Sequence, residues 1–282
     1  MHVRSMLAAG SAVLLSAGLT LTGVSAAGAS THRSAHRVAP PKISSLPRPV
    51  SGQRAGHRIE SPVQVKYTNW AGYADSGSNE KYTKVSSSFT QPAVTCNPSA
   101  SGYQVTVFWD GIDGFSNGRV EQGGTEAYCF NGQGPFYDTW WEEFPVNAIQ
   151  DVGTSVKAGD KITVSVVRSS AKYTVKVTDS TTPGNSFTQS FRCAAATCPA
   201  ASTEWIAEAP TDLSTNTLFP LVKFAKWTNS KSAAANAGTT GTIKTFPDDE
   251  ITMVNNSGQV KAKPSALNAA GNTFSVTYER SS

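Results

Sequence analysis

The sequence predicts an all-β domain, a sandwich of two large antiparallel sheets. Three observations carry this. Between Lys161 and Asp179, Ile162, Val164 and Val166, then Tyr173, Val175 and Val177, alternate with polar residues around Ser169-Ser170-Ala171. This period of two marks a hairpin with one buried face. Similar short runs at 83–90, 103–109, 136–144, 187–192, 220–227 and 272–279 are separated by turn clusters such as GSNE (77–80), TTPGNS (181–186) and NNSG (255–258). No window sustains a helical period, and so many short strands in one domain suit two packed sheets.

Taken in order, the chain opens on Arg4, then an apolar, small-residue stretch from Met6 to Val24 that closes on Val24-Ser25-Ala26. Charge, length and small-residue ending fit a cleaved signal peptide over 1–26 better than a membrane anchor. The expected location is therefore extracellular, with no membrane association. Residues 27–60 carry Arg33, Arg37, Lys42, Arg48, Arg54 and Arg58 against the single acid Glu60, among Pro40, Pro41, Pro47 and Pro49. Such a stretch has no hydrophobic period of its own. It reads as a linker or a propeptide, and propeptide is preferred because no folded unit precedes it.

Residues 61–282 form the expected single domain. They hold 17 Lys and Arg against 19 Asp and Glu, a formal charge of −2, so the basic balance of the whole chain belongs to the leader. A nucleic-acid partner is accordingly not expected. Nothing asks for a second subunit, and a monomer is the expectation. Cys96, Cys129, Cys193 and Cys198 are an even set without a CxxC pair, as in exported proteins with structural disulfides. Of the three possible connectivities, a local Cys193–Cys198 loop leaves Cys96 with Cys129.

The histidines narrow the chemistry. All four, His2, His32, His36 and His57, precede the domain. Nucleophile systems that need a His base, and zinc sites built on His, are thereby excluded from it. The stretch GFSNGRVEQGG (114–124) lacks the Lys-Ser/Thr ending of a phosphate-cradling loop. No metal or cofactor is expected, and acid–base work falls to carboxylates, which act naturally in acid.

Five segments mix Trp or Tyr with carboxylates or an amide: NWAGY (69–73), FWDGIDG (108–114), VEQGGTEAYC (120–129), YDTWWEEFP (137–145) and TEWIAEAP (203–210). An aromatic groove lined by carboxylates suits an extended polymer. In this order, and with LVKFAKWTNS (221–230) closing the match, the segments resemble the glutamic peptidase (eqolisin) family from about Asn69 to Asn229.

That resemblance implies a concanavalin-like sandwich whose concave face holds a catalytic pair, Gln122 and Glu204. It further implies that Trp70, Trp109, Asp113, Asp138, Trp140 and Glu142 line or support the site. Two positions depart from the family pattern: Glu126 stands where Asp is common, and Phe144 where Tyr is common. Peptide bonds are the implied substrate. The basic leader is a candidate inhibitor of its own carboxylate groove, expected on charge to hold better at pH 6 than at pH 3. Two rivals use the same surface. A glycosidase would pair Glu142 with Glu204, and a secreted carbohydrate- or peptide-binding module would need the aromatics alone.

Overall fold

The computed structural model describes residues 38–45, 47–50, 63–77, 81–194 and 197–282. The signal segment 1–26, leader residues 27–37, 46 and 51–60, positions 61–62, and most of the GSNE turn lie outside them. Val38 to Ser282 belongs to one compact unit.

The principal strands are β1 (Val63–Tyr67), β2 (Trp70–Ser76), β3 (Tyr82–Thr90), β4 (Tyr103–Ile112) and β5 (Val120–Phe130). They continue as β6 (Gln133–Phe144), β7 (Asn147–Asp151), β8 (Lys161–Ser169), β9 (Lys172–Asp179) and β10 (Phe187–Arg192). The last are β11 (Ser202–Glu208), β12 (Trp227–Asn236), β13 (Asp248–Val254), β14 (Val260–Pro264) and β15 (Phe274–Tyr278). Hydrogen bonds link them in the order β10-β9-β8-β3-β12-β15-β14-β13-β2-β11-β4-β5-β6-β7, all antiparallel. β1 adds to β13 in parallel. The path doubles back, laying β3, β8 and β9 over β4, β5 and β11 as the second layer of a sandwich.

Side-chain parity builds two apolar clusters. Between the layers, Phe108, Ile112, Trp205 and Ala207 meet Val85, Phe89, Val164, Val166, Val175 and Val177. On the far face of the β2-β11-β4-β5-β6 layer, Trp70, Trp109, Trp140, Ile206 and Tyr128 form a second cluster with Tyr67, Phe115 and Ile43. Trp70 and Trp109 meet edge to face at 4.9 Å, and Tyr67 stacks on Trp70 at 5.8 Å. Alternating strands such as β8 and β9 therefore have one wet face, whereas β2 and β11 are buried throughout.

The hairpin at 161–179 and the runs at 83–90, 103–109, 136–144, 187–192 and 272–279 form as expected. The run at 220–227 differs. Leu221, Val222 and Phe224 are buried in irregular chain around the two-residue strand Lys223–Phe224, and the long strand begins only at Trp227. Disulfides join Cys96 to Cys129 and Cys193 to Cys198. Residues 38–50 pack within the unit: Ile43–Ser44 pairs antiparallel with Thr211–Asp212, and Pro49 bridges to Tyr67.

Candidate active site

Register across four strands sets the geometry. Glu204 on β11 stands opposite Gly111 on β4, Gly111 opposite Gln122 on β5, and Gln122 opposite Glu142 on β6. Directly opposed residues share a face, so Glu204, Gln122 and Glu142 all point to the same side. Two strand spacings, roughly 9.5 Å, separate the Glu204 and Gln122 backbones. Gly111 keeps the space between them clear. A Cβ there would lie 2.9 Å from the Trp109 ring and 3.1 Å from the Gln122 Cβ.

Two further rows lie along the same face. Ile206, Trp109, Gly124 and Trp140 are aligned, followed by Glu208, Val107, Glu126 and Asp138. The face is thus a band of carboxyl and amide groups crossed by a band of indoles. Trp70 stands opposite Glu208 on the neighbouring strand. All the residues expected at the site from the sequence share this face except Asp113, which lies just beyond the end of β4.

Hydrogen bonds define each group's state. Gln122 donates through Nε2 to Glu142 Oε2 at 2.5 Å, which fixes the amide and leaves its second N–H available. Glu204 accepts at Oε1 from the Phe115 amide at 3.3 Å. Gln122 Oε1 and Glu204 Oε2, both fully buried, find no hydrogen-bond partner among the described residues. Two buried acceptors without partners are costly in a folded protein and call for an explanation. Burial, and after it the nearby carboxyls of Asp113 and Glu121, push the Glu204 carboxyl well above the usual range. Burial likewise raises Glu142 to about 8, against hydrogen bonds from Gln122 and the leader serines.

Asp113 is a brace. Its backbone is left-handed, φ 69°, and its carboxylate accepts from the Ala200 and Ala201 amides and from Asn117 Nδ2 at 2.7–2.8 Å. This ties the loop carrying Phe115 to the start of β11, and hence to Glu204. Asp110, in the same FWDGIDG motif, has the opposite parity. It faces the core, where Ser87 donates to it at 2.8 Å.

Three participants escaped the sequence reading. Glu208, four residues after Glu204, accepts from Trp109 Nε1 and Asn69 Nδ2, each at 2.9 Å. Its spacing within TEWIAEAP puts it on Glu204's face, a signal that period-two counting contains. The Phe115 amide leaves no such signal, because a backbone donor has no residue type. The third is leader residues 42–45, because charge pointed to the leader's arginines rather than to these residues. Ser45 donates its amide to Glu142 Oε2 at 3.3 Å, Ile43 is 1% exposed within the indole cluster, and Lys42 accepts from the Leu213 amide at 3.1 Å. Arg48 completes the crossing, donating its amide to Asn69 Oδ1 and its guanidinium to Asn216 Oδ1, both at 2.8 Å.

Similarity to known proteins agrees with this arrangement. Aspergillopepsin-2 of Aspergillus niger is 27% identical over 243 residues, covering 78% of this chain and 81% of that protein. Among solved structures, scytalido-glutamic peptidase with a transition-state analogue inhibitor superposes with a TM-score of 0.63 at 22% identity, over 75% of this chain and 98% of that one. Aspergilloglutamic peptidase from Aspergillus niger gives 0.54 at 24% identity, over 62% and 99%. These likenesses establish the β-sandwich fold. The Peptidase A4 family model matches residues 68–278. The chain therefore belongs to the Peptidase A4 family, the eqolisins, and is a glutamic endopeptidase.

Proposed function

We propose that this chain is a secreted, acid-acting endopeptidase in which Glu204 and Gln122 together activate water, and that its leader strap closes the cleft until it is removed. The observation that carries the reading is the in-register row of Glu204, Gly111 and Gln122, with one unpaired acceptor on each flanking side chain. Once the strap is gone and water enters the cleft, the burial that raises Glu204 is relieved, and as carboxylate it takes a proton from a water lying over Gly111. The water oxygen adds to the peptide carbonyl, and the carbonyl π electrons move onto oxygen. Gln122 donates its free Nε2–H to that oxyanion while Oε1 orients the water. Glu204 then passes its proton to the leaving nitrogen as the C–N bond breaks. Glu142 is a positioning residue that holds the Gln122 amide.

Membership in a peptidase family sets aside the glycosidase and the binding module, and it makes polypeptides the substrates. Extracellular location rests on the signal-like N-terminus and agrees with two disulfides. The strap supports a zymogen. Its Ser45 amide and the Gln122 amide share one oxygen of Glu142, and Ile43 fills part of the indole-lined face.

Hydrolysis of an unfolded protein between about pH 2 and 8 tests the reading, with wild type, Glu204→Gln and Gln122→Ala compared after a check of folding. Glu204→Gln should abolish turnover. Gln122→Ala should slow it by roughly 10²–10³, the loss typical of one oxyanion donor. Near-normal turnover of folded Glu204→Gln would refute the assignment.

A further inference from the structure

The outer face of the β10-β9-β8-β3-β12 layer has no part in the proteolytic site. Its outward positions follow from parity. They are Thr188, Ser190 and Arg192 on β10; Lys172, Thr174, Lys176 and Thr178 on β9; Lys161, Thr163, Ser165, Ser169 and one exposed apolar residue, Val167, on β8; and Lys84, Ser86, Ser88 and Thr90 on β3. They stand in cross-strand rows, for example Thr188–Lys176–Ser165–Ser86. The five strands contain one carboxylate, Asp179, and it is buried. Of the domain's 17 Lys and Arg, seven lie on this face or at its groove (Lys84, Lys161, Lys172, Lys176, Arg192, Lys226 and Lys231), whereas the Glu204, Gln122 and Glu142 row lies on the far face of the other layer.

Within this face lies a groove of about 530 Å³ bordered by Lys161, Lys226, Lys231, Thr90, Thr228 and Ser230. Lys161 donates to Thr90 Oγ1 at 2.7 Å. Lys231 sits at a β-bulge in the left-handed region, φ 56°, where a non-glycine residue is strained. Bulges of this kind re-aim side chains. Here the bulge falls at the one groove border where the regular pairing of β12 with β3 is interrupted.

We infer that this face is a docking surface for an extended anionic polymer of phosphodiester-linked polyol units, seated first at the Lys161–Lys226–Lys231 groove. Charge complementarity supplies the attraction, and rows of hydroxyls supply donors and acceptors to phosphate and polyol oxygens. None of the outward residues is aromatic, so nucleic-acid bases and sugar rings lack the stacking platform they need. Polymers charged through carboxylates would be neutralised in the acid where a carboxylate enzyme works, whereas phosphodiesters keep their charge. Such anchorage would hold the peptidase on an anionic matrix with its cleft facing away.

The test uses the full chain, wild type and Lys161→Gln/Lys226→Gln/Lys231→Gln, binding immobilised poly(glycerol phosphate) at about pH 4 over a salt series. The leader is itself cationic, so the difference between the two proteins is the quantity read. The triple variant should bind at least about ten-fold more weakly, with its salt slope reduced by about two, as expected for three lost phosphate contacts at roughly 0.7 each. Once the leader has been removed, cleavage of a short peptide by the two proteins should be equal. Equal binding by both proteins would overturn the proposal. So would equal retention on neutral dextran, or capture by dextran sulfate but not by poly(glycerol phosphate). Loss of peptide cleavage by an active-site variant leaves this binding intact, so failure of the catalytic reading is distinguishable.

Discussion

Glu121 provides a sharp test of how burial and charge shape this protein. It is fully buried beside Gln122 but has the opposite parity, and its Oε1 lies 2.9 Å from Cys198 Sγ of the Cys193–Cys198 disulfide. Burial, followed by the carboxyls of Asp113 and Glu143, raises its pKa from 4.5 to about 9. The folded state therefore holds a proton that the unfolded state has released. Its contribution to stability is complete below about pH 4.5 and is lost as pH rises toward about 9. At 1.36 kcal/mol per pH unit, the loss between pH 4.5 and 7 is about 3 kcal/mol, a large part of a typical 5–15 kcal/mol. For a domain of this size that corresponds to roughly 10 °C in Tm. Glu121→Gln keeps the shape and cannot ionise. Thermal unfolding at pH 4.5, 6 and 7 should show both proteins losing stability, since Glu142 and Glu204 are raised as well, with wild type losing about 3 kcal/mol more than the variant. Parallel curves, or a wild-type Tm that rises toward neutral pH, would refute the reasoning.

Two further outcomes follow from the cleft. A peptide spanning residues 38–50, added to processed enzyme, should inhibit it, and Ile43→Ala should weaken inhibition about 30-fold, since burying such a side chain contributes about 2 kcal/mol. Its inhibition constant should be at least as favourable at pH 3 as at pH 6, the reverse of what the leader's charge alone suggests, because covering Glu142 raises its pKa to about 8 and so favours protonation; a 27–60 peptide measured in parallel reports what the remaining arginines add. Gly111→Ala should cut turnover strongly while costing about 1–3 kcal/mol of stability, because its Cβ would crowd Trp109 and Gln122. Normal turnover in that variant would mean that the space over Gly111 is not where water reacts.

The sequence made the outer layer legible because β8 and β9 keep one face in water and so alternate. It left β2 and β11 without a periodic signal, because both of their faces are covered and every position in them is buried. They were found as chemical motifs instead, through residues too costly to bury without purpose. Parity then explains what motif reading could not separate. Within FWDGIDG, Asp110 turns into the core while Asp113 braces the loop, and within STEWIAE, Trp205 packs between the sheets while Glu204 faces the cleft. The leader was readable as an occupant of the groove on charge, but not through the residues that hold it. Its hold depends on one isoleucine, backbone pairing and serine amides, none of which departs from ordinary composition.

The order of strands around the site also bears on how this enzyme comes into being. β4, β5 and β6 are consecutive and joined by short connections, so the meander carrying Gln122 and Glu142 can close at little entropic cost. Glu204 belongs to a strand made only after β8, β9 and β10, and it must insert between β2 and β4, both of them long since synthesised. Non-local pairing of this kind is a slow event in folding. The Glu204 half of the proposed pair is thus withheld until the sandwich is essentially assembled; on that assignment, a nascent or partly folded chain, surrounded by unfolded neighbours that would make good substrates, has no means of cutting them.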